Sequence, residues 1–203
     1  MSTTLGIDLE LHQLGLLSPA GYYIGLHIRF AAPLMDYQTY PQEWKDRYTE
    51  QAYALRDPLL AWGFGMTGAT RWSEIGIPDP FGILEDAARF GLNYGVAVSC
   101  GEIKSRTIAG AARSDREFTE PEMSAIQKIV LRLHDTTTPP DSLTKAQIEA
   151  LGYIAAGDRH TAAAAKLGIS ESALKARLTA ARQKLMARTT AEAIQRAKDY
   201  RLL

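Results

Sequence analysis

The segment that constrains this chain most lies near its C-terminus, at residues 168–178 (Gly-Ile-Ser-Glu-Ser-Ala-Leu-Lys-Ala-Arg-Leu). Gly168 permits a tight turn and Ser170 is a preferred N-cap residue, so a helix is predicted to begin directly after Ser170. Apolar residues form one face of that helix, and polar or basic residues form another. The apolar set is Leu174, Leu178, Ala181 and Leu185, and the second set is Lys175, Thr179 and Arg182. This helix must therefore bury one side and expose a basic side.

Three more short helices are predicted around it, within residues 143–203. Capping boxes open two of them, at Thr144–Gln147 and at Thr189–Glu192. The third, at about residues 160–167, is rich in alanine and is joined to the basic helix by the glycine turn. Two helices joined by a short turn that contains glycine are typical of a helix-turn-helix unit.

In such a unit the second helix enters the major groove of DNA, with its N-terminal half against the base edges. Lys175 and Thr179 are placed for base edges, because lysine donates to guanine and threonine offers a hydroxyl and a methyl group. Residues better placed for phosphates are Ser172, Arg177, Arg182 and Lys184. Double-stranded promoter DNA is the predicted partner. Periodicity alone leaves open a solvated basic face on a small helical bundle.

The charge distribution and a proline-rich linker divide the chain. Residues 137–203 hold 11 Lys and Arg against 6 Asp and Glu, a net +5, so the remainder carries −5. Pro139 and Pro140 interrupt the sequence before the basic part and stiffen the connection. The predicted domains are residues 1–134, a linker at 135–142, and an all-α four-helix domain at 143–203.

The first domain is predicted to be α+β, with an antiparallel sheet flanked by helices (an α-β-α sandwich). Residues 21–30 alternate, with Tyr22, Ile24, Leu26, Ile28 and Phe30 on one face and Tyr23, Gly25, His27 and Arg29 on the other. The first face should meet the core and the second should wall a cavity. Further strands are predicted at 95–100 and 106–112, and helices at 81–94 and after a capping box at Thr119–Glu122.

Aromatic residues concentrate between residues 37 and 62. Trp44 and Tyr48 are four apart and share a face if this stretch is helical, and Asp57-Pro58 is predicted to break that helix. Core packing accounts for most of the aromatic residues. An aspartate beside them is harder to explain in that way, because a buried carboxylate needs hydrogen-bond donors from the protein or from a ligand.

Several segments in both halves follow the pattern of one known family. In the C-terminal part they are Leu143-Thr144, Ala155-Ala156-Gly157, Leu167-Gly168-Ile169-Ser170 and Lys184-Leu185. In the N-terminal part they are Trp44-x-x-x-Tyr48, Asp57-Pro58, Trp72-Ser73 and Phe90-Gly91-Leu92-Asn93-Tyr94-Gly95. With these segments the chain resembles the LuxR family of quorum-sensing transcription regulators. The resemblance implies an autoinducer-binding and dimerisation domain at 1–134 and a LuxR-type DNA-binding domain at 143–203.

The ligand that the resemblance implies is an N-acyl-homoserine lactone. Asp57 would accept from the ligand amide, Trp44 would donate to the lactone carbonyl, and Tyr48 would reach the acyl carbonyl. Trp72 would pack on the lactone ring, and Tyr40 would be a further wall residue. An uncharged amide-lactone with an apolar tail suits a few directed polar groups in an apolar pocket. No cofactor and no metal are expected.

Three features of the sequence depart from the family pattern. Gly110 or Ala111 falls where the family often has serine or threonine, which would remove a ligand hydrogen bond and widen the pocket. Ala162-Ala163-Ala164 replaces a Glu-Ile-Ala signature, and Leu174 and Arg177 replace valine and histidine. These changes bear on operator preference and DNA affinity.

The leading hypothesis is a ligand-responsive regulator that binds DNA as a homodimer through helices near 120–134 and 190–200. A second hypothesis is a regulator-like protein that inactivates a partner regulator by heterodimerisation, without contacting DNA or without needing a ligand. An enzyme is not expected, because the four histidines lack metal-ligand spacing and Cys100 lacks an identifiable base. Cys100 is better explained as a buried thiol. One cysteine, no apolar run of membrane length and no signal peptide favour a cytoplasmic protein.

Overall fold

A computed structural model describes residues 2–28, 32–138, 143–200 and 202–203, with side chains from residue 6 onward. The chain forms two compact units, Met1–Thr137 and Thr138–Leu203. In the part that the structure describes, no helix is long and apolar enough to cross a membrane.

The first unit is built on a five-stranded antiparallel sheet in the order β2-β1-β5-β4-β3. Its strands are β1 (Gly21–Ile28), β2 (Met35–Gln38), β3 (Gly68–Arg71), β4 (Tyr94–Cys100) and β5 (Arg106–Arg113). β5 is the central strand and is rich in small residues, so helices pack closely on both of its faces. The prediction of an antiparallel α+β domain is confirmed, although β2 and β3 were not predicted.

Helices cover both faces of the sheet. Those of the first unit are α1 (Ser2–Leu17), α2 (Gln42–Glu50), α3 (Pro58–Gly65), α4 (Ile83–Ala88) and α5 (Glu120–Thr136). One core lies between the sheet and the α1 and α5 helices, and it includes Tyr22, Ile24 and Leu26 of β1. A second core lies on the opposite face, where α2 and α4 bring aromatic and aliphatic residues together.

The sequence of α5 explains both its start and its packing. Thr119 accepts from the backbone N–H of Glu122, and the Glu122 carboxylate accepts from the Thr119 N–H, so the predicted capping box is present. Arg113 of β5 donates to the same carboxylate at 2.9 Å. One side of α5 is buried on the sheet through Met123, Ile126, Ile129, Val130 and Leu133.

His27 does not face the cavity as strict alternation predicts. The β1–β5 register shifts between Gly25 and Ile28, and His27 has a φ of 51°, as a β-bulge produces. The imidazole is buried beside α5, where it stacks on His134 with ring centroids 4.3 Å apart. Arg29 and Phe30, the last residues of the predicted strand, lie outside the described residues.

Two predicted helix boundaries near the aromatic segment were wrong. Asp57-Pro58 begins a helix instead of breaking one, because Asp57 is the N-cap of α3 and proline fits the first turn. α2 ends earlier, at Glu50, and Ala52 then adopts a left-handed φ of 50°. The helix predicted at 81–94 is limited to α4, since Gly91 turns the chain into β4.

The second unit contains α6 (Lys145–Ala155), α7 (His160–Leu167), α8 (Glu171–Lys184) and α9 (Thr190–Asp199). Gly168 takes the predicted left-handed turn with a φ of 66°, and Ser170 caps α8. The predicted inner face of α8 is buried: Leu174, Leu178, Ala181 and Leu185. The capping box before α9 is only half formed, because the Glu192 carboxylate accepts from the N–H of Arg188 instead of Thr189.

A glycine in α3 tests the close packing on β5. A Cβ on Gly63 would lie 2.8–2.9 Å from three side-chain atoms of Ile108. We expect Gly63→Ala to lower the free energy of unfolding by about 1–3 kcal/mol, because the strand cannot withdraw freely. Urea denaturation measures this loss. Gly65→Ala is the matched control, since nothing lies within 4 Å of its Cβ; an equal loss in both variants would contradict the packing argument.

Candidate ligand cavity and candidate nucleic-acid interface

A cavity of about 470 Å³ lies in the first unit, on the sheet face that α2, α3 and α4 cover. Its wall is mostly apolar, with Leu59 and Leu60 from α3, Ile83 and Leu84 from α4, and Ile108 from β5. All six residues that the sequence predicted for a ligand line it: Tyr40, Trp44, Tyr48, Asp57, Trp72 and Gly110. Tyr40 and Gly110, which are 70 positions apart in the chain, thus line the same cavity.

Trp44 and Tyr48 project from the same face of α2, one turn apart, as their spacing predicted. Trp44 is buried, and its ring meets Tyr48 edge-on with centroids 5.6 Å apart. Its indole N–H donates to no acceptor among the described residues, so this donor is available to a ligand. Arg47 fixes the outer side of α2 by donating to buried Asp86 at 2.7 Å.

Asp57 is the buried carboxylate of the cavity. Its Oδ1 accepts from the N–H of Leu59 at 2.7 Å, and its Oδ2 accepts from the hydroxyl of Tyr48 at 2.6 Å. Burial raises the pKa of Asp57, although both hydrogen bonds act in the opposite direction. Burial, and then the Asp57 charge, also raise the pKa of Tyr48. The Tyr48 hydroxyl therefore donates to Asp57 in this arrangement and points to no other acceptor.

Gly110 does not widen the cavity as expected, because Tyr40 occupies the space beside it. The Tyr40 hydroxyl donates to the Gly110 carbonyl at 2.9 Å. A Cβ on Gly110 would lie 3.0 Å from that hydroxyl. The missing side chain on β5 thus lets a phenol reach the strand backbone.

Trp72 lies in the 3₁₀ turn after β3, and its indole rests on Gly95 of β4. A Cβ on Gly95 would collide with the six-membered ring, so this glycine is what allows the indole to lie flat on the sheet. Trp72 is buried, and its Nε1 has no hydrogen-bond partner in the part of the chain that the structure describes.

Sequence reasoning missed several lining residues. Ile83, Leu84 and Ala87 enter from α4, whose approach depends on the tertiary fold. Gln38, Lys45 and Thr49 add polar groups at the exposed side. Tyr23 was placed by alternation on the cavity face of β1 but was not identified as a site residue.

The predicted DNA-contacting residues all lie on α8. Ser172, Lys175 and Lys184 are exposed, whereas Arg177, Thr179 and Arg182 are half-buried. Arg182 donates to the Thr179 hydroxyl at 3.1 Å, so these two side chains are coupled. At the end of the helix, Arg196 of α9 donates to the carbonyls of Leu185 and Met186 at 2.9 and 2.7 Å. The basic helix is therefore fixed at both ends, by Ser170 and by Arg196.

The chain is similar to known proteins over most of its length. Residues 31–136 match the family described as "Autoinducer binding domain". The transcriptional activator protein RaiR of Rhizobium etli is 27% identical over 172 residues, which is 76% of this chain and 71% of RaiR.

Two solved structures show the same fold. SdiA in complex with octanoyl-rac-glycerol aligns with a TM-score of 0.53 at 20% identity, covering 96% of this chain and 88% of SdiA. CepR2 of Burkholderia cenocepacia, an N-acylhomoserine lactone dependent LuxR family transcription factor, aligns with a TM-score of 0.50 at 17% identity, covering 67% and 92%.

The chain belongs to the LuxR family of autoinducer-responsive transcription regulators, because the family match spans half of it. This family is not enzymatic.

The raised pKa of Asp57 gives a test that needs no ligand. The Asp57 carboxyl has a higher pKa in the folded chain than its ordinary value of 3.8 in the unfolded chain. As the pH rises above 3.8, the unfolded chain loses the carboxyl proton more readily than the folded chain, so the contribution of Asp57 to folding stability falls. Relative to Asp57→Asn, wild type should become more stable as the pH falls from about 7 toward about 4. Urea denaturation across that range measures the difference. A difference that is constant, or that changes in the opposite direction, would contradict the assignment.

Proposed function

We propose that this protein senses an N-acyl-homoserine lactone in the cytoplasm and binds promoter DNA as a homodimer. The observation that supports this most is the meeting of a buried acceptor, Asp57, and a buried free donor, Trp44, in one apolar cavity. A ligand with one amide N–H, two carbonyls and an apolar chain matches those groups.

Each lining residue has a role in this proposal. Asp57 accepts from the ligand amide, and Trp44 donates to the lactone carbonyl. Trp72 packs against the lactone ring from its seat on Gly95. Tyr48 first orients Asp57 through their 2.6 Å hydrogen bond and turns toward the acyl carbonyl when the ligand enters. Tyr40 and Gly110 close the wall over β5.

Ligand binding would act through linkage. A ligand that binds only the folded state stabilises it by mass action, and a larger folded population dimerises more readily. The proposed dimer contacts are the outer face of α5, where Leu131 is exposed, and α9. Two α8 helices would then meet two half-sites of an operator.

On DNA, the exposed part of α8 would enter the major groove. Lys175 and Thr179 would contact base edges, while Ser172, Arg177, Arg182 and Lys184 would contact phosphates. The coupling of Arg182 to Thr179 makes the position of the threonine depend on the arginine.

A ligand-induced shift in thermal stability tests the cavity. For wild type, saturating N-octanoyl-homoserine lactone should raise Tm by roughly 5–10 °C. Asp57→Asn should weaken binding roughly 10–100-fold and remove most of that shift, because a charged acceptor is lost. Asp46→Asn, at an exposed position of α2, is the control and should keep the full shift. An equal shift in wild type and Asp57→Asn would refute the assignment of Asp57.

A gel shift with the region upstream of the protein's own gene tests the DNA-binding helix. Lys175→Ala should reduce affinity about 10–100-fold and relax base preference, because a base contact is lost. Lys184→Ala should weaken all DNA alike and reduce the slope with salt by about one. Lys145→Ala, an exposed lysine at the start of α6, is the control. No retardation by wild type, with heterodimer formation, would support the regulator-inactivating alternative.

A further inference from the structure

A tyrosine on β1 forms part of the cavity wall. Tyr23 lies between Gln38 of β2 and Gly110 of β5, its cross-strand neighbours. It lines the cavity and is half-buried.

The Tyr23 hydroxyl lies over Gly25, the next residue on the same face of β1. A Cβ on Gly25 would lie only 2.7 Å from this hydroxyl. Gly25 therefore leaves the space that this hydroxyl occupies, and the position of the hydroxyl depends on the absence of a side chain there.

The hydroxyl of Tyr23 has no hydrogen-bond partner within the ranges that the structure describes. The other two tyrosines that line the cavity use their protons internally, Tyr40 on the Gly110 carbonyl and Tyr48 on Asp57. Burial, with the nearby charge of Asp36, raises the pKa of Tyr23 to about 12, so this phenol is a neutral donor at physiological pH. A partly desolvated hydroxyl that lacks a hydrogen-bond partner is unfavourable, unless a molecule bound in the cavity supplies an acceptor.

Tyr23 neighbours the polar residues proposed to meet the ligand. It pairs across the sheet with Gly110, whose carbonyl accepts from the Tyr40 hydroxyl. It also contributes to raising the pKa of Tyr48, after the larger effects of burial and Asp57. In the proposed function the Tyr48–Asp57 pair meets the ligand amide. A ligand oxygen atom that accepts a hydrogen bond from Tyr23 would therefore belong to the part of the acyl chain next to the amide.

We propose that Tyr23 is a specificity-determining residue that donates a hydrogen bond to an oxygen substituent on the acyl chain close to the amide. The ligand class is then an N-acyl-homoserine lactone with a keto or hydroxyl group at that position, in preference to an unsubstituted chain. This inference rests on the proposed function and adds the substitution of the chain to it.

Isothermal titration of two lactones tests the inference. The probes are N-(3-oxooctanoyl)- and N-octanoyl-homoserine lactone, which differ only in the keto oxygen. Wild type should bind the keto lactone about three- to tenfold more tightly, as one neutral hydrogen bond allows. Tyr23→Phe should lose this preference and bind the unsubstituted lactone within about twofold of wild type, because only the hydroxyl is removed.

Two further variants separate the hydroxyl from general packing. Gly25→Ala keeps the phenol but displaces its hydroxyl, and should reduce the preference as Tyr23→Phe does. Tyr37→Phe is the control, because the Tyr37 hydroxyl donates to Met35 and its ring packs on the opposite core. It should keep the preference of wild type.

The outcomes distinguish this inference from the proposed function. If wild type binds both lactones equally, or if Tyr23→Phe weakens both by the same factor, the role of Tyr23 is wrong and the proposed function stands. If wild type binds neither lactone and Asp57→Asn changes nothing, the proposed function fails and this inference fails with it.

Discussion

The buried carboxylate of Asp57 is the interaction on which the first unit's cavity depends. One oxygen caps α3 and the other holds Tyr48 of α2, so a single side chain joins two helices of the cavity wall. Removing both oxygens from water costs free energy, as the raised pKa of Asp57 indicates. A buried acceptor that is only partly satisfied by the protein is a binding group for an N–H donor. In the proposed function, stability and ligand recognition therefore compete at the same residue.

Around this carboxylate, three strand glycines shape the cavity wall because they have no side chains. Gly95 makes room for Trp72, Gly110 for the Tyr40 hydroxyl, and Gly25 for the Tyr23 hydroxyl. In each case a strand glycine lets an aromatic ring approach the sheet backbone closely. These rings form part of the cavity wall. In the proposed function, the choice of ligand depends on which of their polar atoms stay free.

In the second unit, a few contacts along and at the two ends of α8 fix its position. Its apolar face is buried, Ser170 caps its start, and Arg196 of α9 binds the carbonyls at its end. A helix held at both ends loses little conformational freedom when it meets a partner, which favours binding. The exposed Lys175 and the half-buried Thr179 lie on the side that this packing leaves uncovered.

Sequence by itself determined the elements whose signals are local. The capping box at Thr119–Glu122, the turn at Gly168 and the apolar stripe of α8 follow from neighbouring residues, and the structure contains them. Tertiary structure alone decided where His27 points, because a β-bulge changes the alternation of β1 after Gly25. It also decided that Tyr40 fills the space beside Gly110, since cavity shape depends on contacts between residues far apart in the chain.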